Sequence, residues 1–301
     1  MRSPTDTPAD ELARREEALT EEVLASFDGA DDARFREVLR ALVRHLHGFA
    51  REVRLTEPEW EAAIGFLTRA GQISDDKRQE LILLSDVLGL SMMTVGINAP
   101  REPAATEPTV FGPFFVHEAP EVPYGGDIAQ GAVGEPCWVS GTVSDLEGRP
   151  LAHATLEVWE ADEDGFYDVQ YPDGRTAGRA RTTADGEGRY GFWSVRPSAY
   201  PIPADGPVGD LLAAAGRGPM RPAHVHFMVA APGFQRLVTH VFAAGDEHLA
   251  DDAVFGVKAS LVRELVEQPP GEGPAGRRLD ERWWSLAFDI RLAPTPSPEG
   301  A

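Results

Sequence analysis

The chain divides by the period at which its apolar positions return. In the first third, Phe35, Val38, Leu39, Leu42, Val43, Leu46 and Phe49 recur at spacings of three and four. This predicts one apolar stripe along an amphipathic helix. Leu12, Leu19, Val23 and Phe27 predict a helix before it. Thr56-Glu57-Pro58-Glu59-Trp60 reads as a helix start, with Thr56 as the cap and Pro58 near the first turn, and Trp60, Ala63, Ile64 and Leu67 continue it. Asp75 and Asp76 then open a more apolar helix, Leu81 to Val95. A helical region with several apolar stripes buries only some of them against itself, so the leftover stripe is a candidate surface for self-association. His45 and His47 stand among arginines and read as solvated.

At Val110-Phe111-Gly112-Pro113-Phe114-Phe115 the character changes. Strand-sized runs now alternate with turn signals: Cys137 to Val143, Thr155 to Trp159, Arg179 to Thr183, Tyr190 to Val195, His224 to Ala230, Leu237 to Ala243 and Leu286 to Leu292. Short strands at this rhythm predict an antiparallel sandwich. Val254 to Val266 reads as a late helical stretch and Pro269 to Gly276 as a loop. The expected fold is therefore α+β, with a helical region over residues 1–105 and an antiparallel β-sandwich domain over residues 106–301.

Composition narrows the chemistry. At 301 residues, with 42% apolar, there is room for two domains or one large core with an appendage. A formal charge of −21 argues against a nucleic-acid partner, because phosphate backbones are bound through clustered Lys and Arg. No run approaches the roughly 20 apolar residues of a membrane span, and Met1 to Glu17 is polar and acidic rather than signal-like, so a soluble cytoplasmic protein is expected. The single cysteine, Cys137, excludes an intrachain disulfide and a thiolate-rich zinc or iron–sulfur site. It reads as a small buried hydrophobe. Any metal must be held by His, Tyr, Asp or Glu.

One heptapeptide concentrates such groups: Arg221-Pro222-Ala223-His224-Val225-His226-Phe227. Side chains two apart on a strand share a face, so His224 and His226 would project together, either as satisfied core histidines or as a metal pair. Arg221 beside two inward imidazoles favours a metal together with an anion. Among the five tyrosines, Tyr167 and Tyr200 occupy loop positions suited to function, Tyr171 competes with Tyr167, and Tyr190 at a strand start reads as structural. Asp86 interrupts an apolar helix, and so faces either water or a partner. The Gly112-Pro113 turn between aromatics suits a pocket for a flat ligand, although most such turns are packing.

The order Gly-Phe-Tyr ending at Tyr167, Pro-Ser-Ala-Tyr ending at Tyr200, then Arg-Pro-Ala-His-Val-His ending at His226 resembles the intradiol ring-cleavage dioxygenases over almost the whole chain. The resemblance implies one ferric ion per subunit, held by Tyr167, Tyr200, His224 and His226, with Arg221 as the active-site cation and Tyr200 also taking a proton. It places Leu83, Asp86, Val110, Phe111, Gly112, Pro113, Phe114, Ile202, Pro203 and Val254 around the substrate. Leu237 to Phe242 and Asp251 to Lys258 are closest to the branch acting on hydroxyquinol, benzene-1,2,4-triol, rather than on catechol or chlorocatechol. The resemblance further implies a homodimer through the N-terminal helices, with phospholipid sometimes between subunits. From the residues alone, a zinc hydrolase and a non-catalytic carrier sandwich stand beside this reading.

Overall fold

The computed structural model describes residues 7–75, 78–117 and 119–296. Its helices are α1 (Pro8–Ala25), α2 (Ala33–Val53), α3 (Glu57–Ile73), α4 (Glu80–Val87), α5 (Leu90–Asn98) and, within the sheet region, α6 (Pro207–Ala214). Its strands are β1 (Pro136–Ser144), β2 (Thr155–Trp159), β3 (Arg179–Thr183), β4 (Arg189–Val195), β5 (Tyr200–Pro201), β6 (Met220–Arg221) and β7 (His224–Ala230), followed by β8 (Leu237–Ala243), β9 (Val262–Arg263), β10 (Leu265–Gln268), β11 (Gly271–Glu272), β12 (Arg278–Leu279), β13 (Trp283–Ala287) and β14 (Ile290–Arg291). The chain packs as two compact units, one ending at Thr68 and the other beginning at Arg69.

In the first unit, Thr7 caps α1 through a reciprocal box with Asp10, and the Asp32 carboxylate accepts from two free amides of α2. The two helices meet through polar groups: Arg51 Nη1 donates to Thr20 Oγ1 at 2.7 Å, and His47 Nδ1 lies 3.0 Å from the same oxygen. His47 is thus paired rather than solvated, because helix packing turns it toward α1. The predicted stripe of α2 lies on the surface of its unit. Phe35, Val38, Leu42, Leu46 and Phe49 remain between 46% and 55% exposed.

The helix expected over Leu81 to Val95 is two helices. Gly89 takes a left-handed conformation between α4 and α5, which meet at a 75° bend. Asp76 lies outside the described residues. Among the described residues no single helix is long and apolar enough to cross a membrane.

Two five-stranded sheets form the core of the second unit. One runs β10-β13-β1-β14 with β4 also on β1, and the other β3-β2-β7-β8-β9. Most pairings are antiparallel, while β1 runs parallel to β13 and β14, and β8 parallel to β9. Val139, Phe192 and Leu286 of the first sheet join Val158, Val225, Phe227 and Val241 of the second in one buried cluster, and Cys137 is buried within it as expected. Glu160, just past β2, is also fully buried; the Ser194 hydroxyl donates to one of its oxygens and the other has no hydrogen-bond partner among the described residues.

One helix expectation and one strand expectation need correction. Val254 to Val266 is not helical. Asp252 accepts from the amides of Val254 and Gly256 and folds the chain into a turn, Ala259–Leu261 is a single 3-10 turn, and Val262 and Arg263 pair with β8. Leu286 to Leu292 is interrupted at Phe288 and Asp289, where the Asp289 carboxylate accepts from both the amide and the hydroxyl of Thr142 on β1.

Candidate metal centre

The register of β7 decides which face each of its side chains takes. Val225, Phe227 and Val229 enter the core between the sheets, so His224 and His226 project from the opposite face. On that face His226 lies across from Trp159 of β2 and His240 of β8. The Trp159 ring stacks on the His226 ring at 4.7 Å and 18°.

Each tyrosine arrives on its own loop. After β2 the Asp162 carboxylate accepts from the Phe166 amide at 3.0 Å, and the Tyr167 amide donates to Gln170 Oε1 at 2.8 Å. Tyr200 sits in β5, directly opposite Arg221 in β6. Gly165 lets the two loops touch, because a β-carbon there would stand 2.8 Å from Tyr200 Cβ.

The four predicted donors converge. Tyr167 Oη lies 2.9 Å from both Tyr200 Oη and His226 Nε2, and His224 Nε2 lies 3.1 Å from His226 Nε2. All four side chains are buried. The rival Tyr171 is turned away, donating to Asp162, which pushes its phenol up to about 12. Tyr190 donates to the Phe288 carbonyl inside the core, in keeping with its structural reading.

Burial raises both central phenols above their ordinary value; Tyr200 adds to the effect at Tyr167, whereas the Arg221 charge opposes it at Tyr200. Burial likewise holds His224, His226 and His240 well below the usual imidazole range, with the Arg221 charge acting on all three in the same direction. Neutral imidazoles are the form that ligates a metal. His224 Nδ1 lies 2.7 Å from the Pro222 carbonyl, an acceptor that fixes the proton on Nδ1 and leaves Nε2 bare.

This donor set fits a hard cation. Separations of 2.9 to 3.1 Å are those of neighbouring donors around one ion with bonds of about 2.1 Å. Phenols that burial keeps protonated become good anionic ligands when a trivalent charge offsets that cost, and two phenolates balance most of it.

Around the donors stands a second layer, of which sequence reasoning assigned only Arg221. Arg221 Nε donates to Asp252 Oδ1 at 3.2 Å and Nη1 approaches His224 Nε2 at 3.0 Å, while Nη2 has no hydrogen-bond partner among the described residues. Burial alone would weaken this guanidinium's charge, but Asp252 and the two phenols more than offset that. Arg179 grips Asp168, the residue after Tyr167, and donates to the Phe114 carbonyl at 2.7 Å. His240 and Thr109 complete the layer. Asp252 and His240 lie inside the Asp251 to Lys258 and Leu237 to Phe242 motifs, but their roles needed the folded contacts.

Beside the centre opens a cleft of about 730 Å³, walled by Leu83, Pro113, Phe114, Ile202 and Pro203 among others. Arg78 binds both oxygens of Asp205 at this cleft and also reaches Glu80, whose other oxygen accepts from the Val208 amide. The other expected pocket residues do not line it. Val110, Val254 and Asp86 are buried, Phe111 is half-buried against Trp159, and Gly112 abuts His226. Burial raises the Asp86 carboxyl above the ordinary range, opposed by the Ser91 hydroxyl and the Arg221 charge.

Residues 110–294 match the family model described as Dioxygenase, and residues 32–106 match the one described as Catechol dioxygenase N terminus. The chain belongs to the intradiol ring-cleavage dioxygenases, a family of non-haem iron enzymes. It is 58% identical over 294 residues to a hydroxyquinol 1,2-dioxygenase of Rhodococcus opacus, covering 96% of this chain and 98% of that protein. To the hydroxyquinol 1,2-dioxygenase of Nocardioides simplex it is 58% identical over 285 residues, covering 94% and 97%. The crystal structure of hydroxyquinol 1,2-dioxygenase from Pseudomonas putida DLL-E4 superposes with a TM-score of 0.86 at 41% identity, covering 94% of this chain and all of that one.

Proposed function

We propose that this chain is an intradiol dioxygenase that opens the ring of hydroxyquinol between its vicinal hydroxyls, with one ferric ion per subunit held by Tyr167, Tyr200, His224 and His226. The observation that carries the reading is the meeting of two phenols and two neutral imidazoles at 2.9 to 3.1 Å in a buried site. Relatives named for hydroxyquinol support the choice of substrate, as does a carboxyl, Asp86, buried among apolar residues of α4.

When bound, ferric iron supplies the Lewis acidity that makes the diol's protons labile and the ring open to dioxygen. Tyr200 Oη takes up a proton released from a substrate hydroxyl. Arg221, held by Asp252, sets its guanidinium against the negative charge of the deprotonated diol. Asp86, buried in α4 one turn from the cleft-lining Leu83 and within the field of Arg221, is the group proposed to hydrogen-bond the third hydroxyl, which either protonation state of a carboxyl can do. Leu83, Phe114 and Ile202 give the flat ring an apolar wall and exclude water. Hydroxyquinol and dioxygen combine with no atom left over into 3-hydroxy-cis,cis-muconate, the enol of maleylacetate.

The same reading makes residues 1–105 a dimerising helical domain and 106–301 the catalytic one. The exposed stripe of α2 supports a homodimer, and phospholipid is an expected companion of that apolar surface. Purified protein should be red-brown from phenolate-to-iron charge transfer and contain one iron per chain. Oxygen uptake compared on hydroxyquinol, catechol and 4-chlorocatechol tests the assignment: colourless, iron-free protein would overturn the centre, and a preference for catechol would overturn the substrate.

A further inference from the structure

We infer that His240 is a positioning residue: it fixes the tautomer of His226 so that Nε2 presents a bare lone pair to the ion. The inference rests on the ferric reading above and concerns a residue that does not reach the cleft. His226 and His240 are directly opposed across the antiparallel pair β7–β8, with rings 4.1 Å apart and nearly perpendicular. His226 Nδ1 and His240 Nε2 lie 2.7 Å apart, and His240 Nδ1 lies 2.9 Å from Thr109 Oγ1.

At that distance one imidazole nitrogen donates and the other accepts. If His240 donated, the proton of neutral His226 would sit on Nε2 and point at Tyr167 Oη and His224 Nε2, where it blocks a metal bond. If His226 donates from Nδ1, Nε2 is free, and His240, accepting at Nε2, donates from its own Nδ1 to Thr109 Oγ1. Thr109 is itself pinned to β8, its amide donating to the Val238 carbonyl at 2.9 Å. His224 needs no such relay, since a backbone carbonyl can only accept. Both nitrogens of His240 are therefore engaged away from the phenols, so the buried trio His224, His226 and His240 supplies two ligands and one orienting group. Outer partners of this kind typically change metal affinity by about 10- to 100-fold.

The test measures iron affinity by chelator competition, and the visible charge-transfer band, in the full chain carrying His240→Leu, His240→Gln or Thr109→Val. Leu should lower iron affinity about 10- to 100-fold and shift the band. Gln, whose amide oxygen accepts where Nε2 did, should restore both toward wild type, and Thr109→Val should move both in the direction of Leu by less. A folded His240→Leu protein with unchanged affinity and band would overturn the inference, as would Gln behaving like Leu. If His240→Leu does not fold, unchanged iron binding in Thr109→Val overturns it. Wild-type protein that takes up no iron would instead bring down the ferric reading itself.

Discussion

Gly112 stands so close to His226 that a β-carbon on it would lie 3.2 Å from the imidazole Cε1, and its φ of +76° is one that side chains rarely adopt. The turn between Phe111 and Pro113 is therefore a wall of the centre as well as a packing device. Together with the stacked Trp159, it leaves the His226 ring little freedom to rotate.

Gly112→Ala is expected to push that ring and strain the turn, by about 1–2 kcal/mol for the backbone alone. A displaced ligand should lower turnover roughly a hundredfold. Steady-state oxygen uptake beside iron content checks this, and wild-type values in both would show that the contact has no role.

Arg221→Leu should cut turnover by about 100- to 1,000-fold while iron content stays near wild type, because on the proposed reading the guanidinium opposes substrate charge and is not itself a ligand. It also strands Asp252 in the interior, so the melting temperature should fall. Turnover is therefore compared per iron-loaded, folded chain.

Asp86→Ala should reduce kcat/KM for hydroxyquinol about tenfold or more beyond its effect on catechol, which lacks the third hydroxyl. Equal losses on the two substrates would remove Asp86 from recognition and leave it a structural partner of Ser91.

Glu160→Gln isolates a stability effect. Burial raises this carboxyl from 4.5 to about 8 in the folded chain, against the opposing Ser194 hydrogen bond. Its stabilising contribution is complete below about 4.5 and is lost as pH rises through about 8, since the unfolded chain releases the proton first. Gln carries no such proton. The melting temperature of the variant relative to wild type should rise across that window and level above it; parallel curves would mean Glu160 is ionised in the fold.

Leu42→Glu with Leu46→Glu places charge on the exposed stripe of α2. If the proposed dimer forms through this stripe, sedimentation should report dimer for the wild-type chain and monomer for the variant, with the variant keeping its helical circular dichroism.

Much of the centre was legible because a strand's period of two makes His224 and His226 neighbours from sequence alone. Tyr200 and Arg221 were legible as motif residues, although their pairing across β5 and β6 was not. His240 and Thr109 had no role in the sequence reading, because Thr109 meets His240 from 131 residues away and only the β7–β8 register sets His240 against His226; the ion pairs of Asp252 with Arg221 and of Arg179 with Asp168 needed the folded loops. The misread helix after Val254 has the same origin. Its apolar spacing suits either structure, and the pairing of Val262 with Phe242 decides. Within Leu81 to Val95 the apolar run concealed the single residue, Gly89, that bends it.

The segments around Asp164–Pro172 and Pro201–Asp205 rim the cleft, and the first carries Tyr167 while the second follows Tyr200 without interruption. Aperture and coordination are thus one mechanical object. Loosening these rims to admit a bulkier aromatic would drag a phenol with them, whereas the Leu83 side of the opening carries neither phenol nor imidazole of the candidate centre. Adaptation to larger rings should therefore accumulate on α4 first.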